Sequence, residues 1–483
     1  MKIRLLQYLY CPICEGHLDI QEISVKKYKI SSQNSNKCLD WGIDVASVEK
    51  VVEEGILLCN DCKTWYPIIN YVPVLLSFLT QQQKVFYERN KKTIDALGSF
   101  NLPNGIPLPG EKYVQKSFTK EWEDFGASEL KFSFSKQQIL NNNSIALDWP
   151  DWVLNTPGKK LLEVGIGFGQ SCVILEELTN NEIFGIDLNL SMIENGEAIS
   201  KMPFVNVVIA SLFKIPFPKD FFDIVISMGV LHHTFSTRSA FHSILRYMNK
   251  QGMIHIWLYA LENRFYNLKR IPRDFLERYA RPIIARLPLL LQNMIIYPAA
   301  IVHYFTQRKS LPTFSFKNAL HGQRDEWTPL YAHHLSIISV IEWFQEAGLT
   351  YKLMDTLKIK QIVGRGSKDL GIRGIKNNSE NYSIDNSPCK YIDCSDEIFL
   401  NKIAELIERF GKIKLSLLCL KIFKINPFFK YRTVKSVNRK ILEIIHGIFL
   451  LKYDDKWAYY RLIELLLIRN NIELLIKKIE TLK

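Results

Sequence analysis

The residues with the most chemical potential in this chain lie in Leu161-Leu-Glu-Val-Gly-Ile-Gly-Phe-Gly-Gln170 and in two Cys-x-x-Cys pairs. Leu161, Leu162 and Val164 read as a short strand buried on both faces. Gly165, Gly167 and Gly169 follow at once, and Ser171 to Leu178 read as a helix. A strand, a side-chain-free turn and a helix N-terminus let backbone come very close to a ligand. The spacing is G-x-G-x-G and not the G-x-G-x-x-G of dinucleotide binders. Glu163 sits inside the motif. A second apolar run, Ile183-Phe-Gly-Ile186, ends in Asp187, where an acid would meet ribose hydroxyls.

Cys11-Pro-Ile-Cys14 opens the chain and Cys59-Asn-Asp-Cys62 answers it. Each pair offers two thiolates on one tight knuckle, and two knuckles make the tetrahedral four-sulfur set of a structural zinc site. The interval between the pairs is longer than in compact zinc knuckles, so residues 31–50 read as an insertion. Cys38 within it and His17 read as bystanders. Nothing marks an open catalytic position, so the metal is expected only to fold its module.

Downstream come Ile209-Ala-Ser-Leu212, Ile215-Pro-Phe-Pro218 and Phe222-Asp-Ile-Val-Ile-Ser-Met-Gly-Val-Leu-His-His233. With the glycine motif and its two acids, these resemble the class I S-adenosylmethionine-dependent methyltransferases over residues 136–375, in particular the type 11, quinone-biosynthesis-like branch. The resemblance implies S-adenosylmethionine as cofactor. It implies that Glu163, Gly165, Gly167 and Gly169 shape the pocket for its methionine part. Asp187, with Leu188 beside it, would hold the ribose. Ser211 and Leu212 would flank adenine, and Ser227 and Met228 lie at the same edge. The family usually carries an acid after its third strand, near the adenine amino group; here that position reads Ala210-Ser211. Residues 1–79, with Trp65-Tyr-Pro-Ile-Ile-Asn-Tyr-Val-Pro-Val-Leu75 after the second cysteine pair, resemble the small zinc-binding activator of tRNA methyltransferases, here fused.

These residues need a frame that brings them to one edge. Strands are expected at 160–164, 182–187, 204–209, 222–227 and 253–259, with helices at 170–179, 191–201 and 237–249 between them. That alternation gives a doubly wound α/β, Rossmann-like sheet, completed to seven strands by 349–356 and 361–365. Ligand then sits beyond the C-terminal strand ends. Residues 80–135 read as a linker and N-terminal cap helices, whose Tyr113, Phe118 and Trp122 could line the site. Within 261–325 a helical lid is expected: basic at first, then free of charge from Leu287 to Gln307. That stretch is long enough for a membrane span, but it lies between strands of one sheet, so it reads as a lid that can lie in a membrane interface. Residues 376–395 read as a polar linker and 396–483 as a basic helical extension.

Methyl transfer from a sulfonium is an in-line displacement, so the protein must mainly align the two partners and exclude water. An acceptor proton needs a base, and the candidates are His232, His233, His333 and His334. His255, inside a strand, reads as core, and Tyr259 as structural.

The chain has 483 residues, 47% hydrophobic and 23% charged, enough for two or three globular domains. Its nine cysteines are too few for a disulfide framework, which points to a reducing compartment. Met1 to Tyr10 does not read as a secretion signal. A net charge of +13 suits nucleic acid or an anionic membrane, and equally plain solubility. The expectation is a cytoplasmic methyltransferase, able to touch a membrane through 261–312 or 396–483, acting on a small-molecule, lipid-linked or saccharide-linked acceptor. A tRNA or rRNA methyltransferase is the alternative, disfavoured because Ser227-Met-Gly-Val stands where amino-group methylating enzymes show Asn-Pro-Pro-Tyr. A non-catalytic cofactor-binding scaffold is the third reading.

Overall fold

The computed structural model describes residues 1–125, 152–153, 156–259, 279–309, 314–335, 337–353 and 369–376. The expected extension 396–483, nearly all of the linker before it and the expected strand 361–365 lie outside these.

The N-terminal module is an antiparallel meander: β1 (Leu18–Lys27), β2 (Lys50–Cys59), β3 (Thr64–Ile69) and β4 (Val72–Leu75). The insertion between the cysteine pairs is more ordered than its polarity suggests. It forms α1 (Ser32–Asp40) and α2 (Val45–Glu49), each capped by the side chain before it: Ser31 accepts from Asn34 N, and Asp44 from Ala46 N and Ser47 N. Cys38 is buried there with Ile43, Val48 and Phe204, and His17 lies against the Tyr10 ring. After the module come α3 (Gln81–Arg89), closed by a Thr80–Gln83 capping box, then α4 (Lys91–Asp95) and the cap helix α5 (Glu111–Phe125).

The second half follows the expected alternation: β5 (Lys160–Val164), α6 (Gln170–Thr179), β6 (Glu182–Asp187), α7 (Gly196–Ser200), β7 (Val205–Ala210), β8 (Phe222–Met228), α8 (Thr237–Leu245) and β9 (Met248–Tyr259). Three boundaries differ from expectation. The helix expected at 191–201 begins as a 3-10 turn, Leu190–Asn195, started by the Asn189 side chain. The helix expected to reach 249 stops at Leu245, and β9 starts at Met248, because Met248 already pairs with Phe222. The last hairpin is β10 (Leu349–Leu353) with β11 (Asp369–Lys376), antiparallel, so the described partner strand lies C-terminal to 361–365.

The order β1-β2-β3-β4-β7-β6-β5-β8-β9-β11-β10 makes one 11-stranded sheet. The seven-stranded part is as expected; the zinc module is not a separate bead but its continuation. β4 pairs in parallel with β7 through Val74↔Ile209 and Leu75↔Ala210. Polar ties reinforce that joint: Lys2 Nζ donates to Val205 O at 2.6 Å, and the Arg4 guanidinium donates twice to Glu182 at 3.0 Å. Burial pushes the Lys2 amine down to about 7. One apolar core spans both parts, including Val72, Val74, Leu161, Ile183, Val207 and Ile224.

α9 (Leu289–Arg308) and α10 (Phe316–Trp327) lie in the segment expected to be a lid; they pack on each other through Ile296, Ala300, Ala319 and Leu320, and α10 also contacts α5. By length and composition α9 could cross a membrane. It lies between β9 and β10 of one sheet, so both its flanks return to the same side. α11 (Ile337–Glu346), with Val340 and Phe344 buried, belongs to a second compact unit with Tyr259 and His334.

Candidate functional site

The metal site follows from the two knuckles. In each, the residue after the second cysteine has positive φ: Glu15 at 60° and Lys63 at 53°. The chain thereby curls around its two sulfurs, and Cys11 N donates to Gly16 O to close the first loop. Cys11, Cys14, Cys59 and Cys62 place their sulfurs within 4.8 Å of one another, with Cys11–Cys62 at 3.6 Å and Cys14–Cys59 at 3.4 Å. A tetrahedron with Zn–S near 2.3 Å has sulfur–sulfur edges of about 3.8 Å, so the set fits zinc. The Tyr66 hydroxyl, 3.2 Å from Cys11 Sγ, and Ile13 N, which donates to it at 3.4 Å, supply an outer layer of donors that would steady a thiolate.

The cofactor edge is built by β5, β6, β7 and β8. Gly165, Gly167 and Gly169 have φ of 86°, 55° and 84°, so the turn depends on glycine. Packing excludes a Cβ at each of the three as well, because neighbouring side chains take the space it would need. At Gly165 it would meet Val230 at 2.1 Å, at Gly167 the Trp122 indole at 2.3 Å, and at Gly169 Ile199 at 2.6 Å. Asp187 ends β6 and accepts from Gly167 N at 2.7 Å and Asn189 N at 2.8 Å, which locks the glycine turn to the strand end. An ionised carboxylate has about four acceptor sites, so capacity remains for a diol. Burial pushes the Asp187 carboxyl up to about 6. Glu163 is buried beneath the turn, accepts from Cys172 Sγ at 3.2 Å, and is pushed by burial to about 7. Leu188 is half-buried against the core. Ser211 is buried, Leu212 O accepts from Ser243 Oγ, Ser227 Oγ donates to Val164 O, and Met228 packs on the core. A carboxylate at the second strand end and three left-handed glycines at the first fit S-adenosylmethionine.

The structure sorts the histidines. His232 and His233 form a buried 3-10 turn after β8, their rings 4.3 Å apart. His233 Nδ1 lies 2.8 Å from Tyr331 O, and its Nε2 3.5 Å from Asp325 Oδ1. His333 joins them: its N donates to His232 O, and its ring Nε2 is 2.9 Å from Thr234 O. Burial lowers the His333 pKa. His334 instead lies 5.3 Å from the Tyr259 ring, in the second unit. His255 is buried as expected; burial, then Arg373, pushes it down to about 3. Of the cap-helix aromatics, Trp122 covers Gly167 and Phe168, Phe118 meets the His233 ring at 5.1 Å, and Tyr113 is exposed beneath Arg286.

Four groups near this edge were not singled out from the sequence: Glu111, Glu121, His321 and Asp325. Glu121 is 2% exposed, 3.2 Å from His321 Nδ1, and burial followed by Asp325 raises its pKa well above the carboxylate range. Burial also lowers His321, which favours a protonated carboxyl beside a neutral imidazole. The available signal was an acid on the buried face of an amphipathic helix: Glu121 follows Val114 by seven residues and Phe118 by three. Below it Arg324 is fully buried, its Nε 2.7 Å from Asp124 Oδ2, and its Nη2 donates to Asn293 Oδ1. Arg324→Met should destabilise the fold by about 3 kcal/mol, read as a lower urea midpoint, because it strands a buried carboxylate. The Lys120 ammonium, 2.7 Å from Asp124, keeps the loss from being larger.

Two family comparisons cover these sites. Residues 162–256 match the methyltransferase domain family, and residues 2–70 match the Trm112p-like protein family. No curated protein matches the chain. Among solved structures it is similar to a chain of the complex between the Haloferax volcanii Trm112 methyltransferase activator and the putative methyltransferase, at 14% identity over 53% of this chain and 97% of that one, TM-score 0.31. It is also similar to a SAM-dependent methyltransferase from Aquifex aeolicus, at 13% identity over 54% and 98%, TM-score 0.30. A third, from Mesorhizobium loti, shares 13% identity over 49% and 99%, TM-score 0.31. The chain joins a Trm112p-like domain, whose four cysteines fit structural zinc, to an S-adenosylmethionine-dependent methyltransferase domain.

Proposed function

We propose that the methionine part of S-adenosylmethionine lies over the Gly165–Gly169 turn, its ribose on Asp187 and its base beside Ser211 and Leu212. The cofactor supplies an activated methyl group. The chain's own residues bind it, exclude water and take up a proton. Trp122 roofs the glycine turn, which supports a site closed by the cap helix. His233 is the group best placed as base. Its Nδ1–H donates to Tyr331 O, which fixes the tautomer with the lone pair on Nε2, and the Asp325 carboxylate stands 3.5 Å from Nε2, where it would stabilise positive charge. His333 is less suited, since its Nε2 is engaged by Thr234 O.

The acceptor is a greasy small molecule or a lipid-linked or saccharide-linked one, met at a cytoplasmic membrane surface. The observation that carries this is the outer face of α9. Leu290, Met294 and Val302 are 72%, 67% and 63% exposed, with Ile301 and Phe305 in the same band, and Arg286, Arg308 and Lys309 at its ends. An apolar helix face framed by cations suits the boundary of an anionic bilayer. The Trm112p-like domain and the net charge of +13 favour a second reading, a nucleic acid or protein acceptor.

Labelled S-adenosylmethionine incubated with the enzyme and an extract of its own cells separates the two. Label is expected in the solvent-extractable or glycan fraction. A Met294→Lys, Val302→Lys variant is expected to lower that transfer about tenfold while cofactor affinity stays unchanged. Label confined to RNA or protein overturns the first reading.

A further inference from the structure

We propose that Glu111, carried by the cap helix and not by the sheet, accepts the hydrogen bond of the exocyclic amine of the cofactor's adenine. The inference rests on the cofactor placement given above. Three adjacent strand ends set the order of the ligand along the edge. β5 ends in the glycine turn, β6 in Asp187, and β7 lies on the far side of β6, with Asp187 opposite Ile209. A nucleoside whose amino-acid tail lies over β5 and whose sugar sits on β6 directs its base to the end of β7, at Ala210 and Ser211.

Neither of those residues brings a charged acceptor, the stronger partner for an amine. The Ser211 hydroxyl already donates to Glu111 Oε1, and it accepts from Phe213 N at 3.3 Å. The carboxylate at this strand end therefore comes from α5, about a hundred residues upstream by sequence. Glu111 is half-buried, and no cation pairs with it among the described residues. Its Oε2 accepts from Leu108 N at 2.8 Å. Of the roughly four acceptor sites on a carboxylate, two are thus occupied, and the rest can take an N–H donor. The bland account is that Glu111 only starts its helix and ties it to Ser211. The two accounts differ in what they predict for a change in the base.

Calorimetric titration of S-adenosylhomocysteine and S-inosylhomocysteine, in which a carbonyl oxygen replaces the amine, tells them apart. The wild type is expected to favour the adenosine ligand by about 10- to 100-fold. Glu111→Ala should bring the two within about threefold by weakening the adenosine ligand alone. Glu111→Gln keeps an oxygen for Leu108 N and gains an amide donor for the inosine carbonyl, so its preference should vanish or invert. An apo melting temperature within about 2 °C of wild type would show that Glu111→Gln is folded. The same ratio in all three proteins, or equal weakening of both ligands, overturns the assignment. Wild-type binding of both ligands with equal affinity removes Glu111 from the base but leaves the cofactor placement standing. Binding of neither removes both.

Discussion

Cys59→Ser should take bound zinc from about one per chain to near none and lower the melting temperature by at least about 10 °C. A strong chelator on the wild type should do the same. The reason lies in where the sulfurs sit. Cys59 ends β2, so the metal clamps the β2–β3 turn to the knuckle at Cys11 and Cys14. That turn aims the chain through β3 into β4, and β4 lies along β7. Without the metal the module loses its main cross-link, and β7, whose residues are buried throughout, becomes an unpaired apolar edge. Precipitation on heating should therefore accompany the loss. Retention of the wild-type melting curve by metal-free Cys59→Ser would mean that the cysteines do not hold the fold together.

Asp187→Asn should weaken S-adenosylhomocysteine by at least about 100-fold, from the loss of two hydrogen bonds to a charged acceptor. The wild type should show a matching pH dependence. The ionised carboxylate is the better ribose acceptor, and burial sets its pKa at about 6 in the ligand-free fold. Affinity is then level above about pH 7 and falls about tenfold per unit below about pH 6. Stability of the empty protein runs the other way. Because the folded pKa is raised above 3.8, this carboxyl favours the fold at low pH, and that contribution is lost as pH rises toward about 6. Added ligand should thus raise the melting temperature more at pH 7.5 than at 5.5, and Asp187→Asn should flatten both trends. Tight, pH-independent binding by Asp187→Asn would remove the acid from the ribose site.

The parallel strands and the four-cysteine site were legible because each has a local cause. Runs such as Ile183-Phe-Gly-Ile186 read as strands buried on both faces, and paired knuckles fix their own geometry. The β4–β7 joint was not legible, since a four-residue apolar run does not announce its pairing partner. The strand at 369–376 was not expected for a similar reason: Leu370-Gly-Ile-Arg-Gly-Ile375 carries two glycines and an arginine, which weaken its strand signal, while Arg373 is buried in the fold. Glu111 and Glu121 escaped notice because an acid on a helix reads as solvated surface. Their burial comes from contacts across the chain, with Ser211 in one case and His321 in the other.

The parallel joint between β4 and β7 has a consequence for assembly. Two separately made chains meeting through so short a pairing would be subject to mass action and would part on dilution. Here the linkage is covalent, so the local concentration of one half for the other is fixed and their stoichiometry is one to one in every molecule. Specific activity should accordingly stay constant across serial dilution.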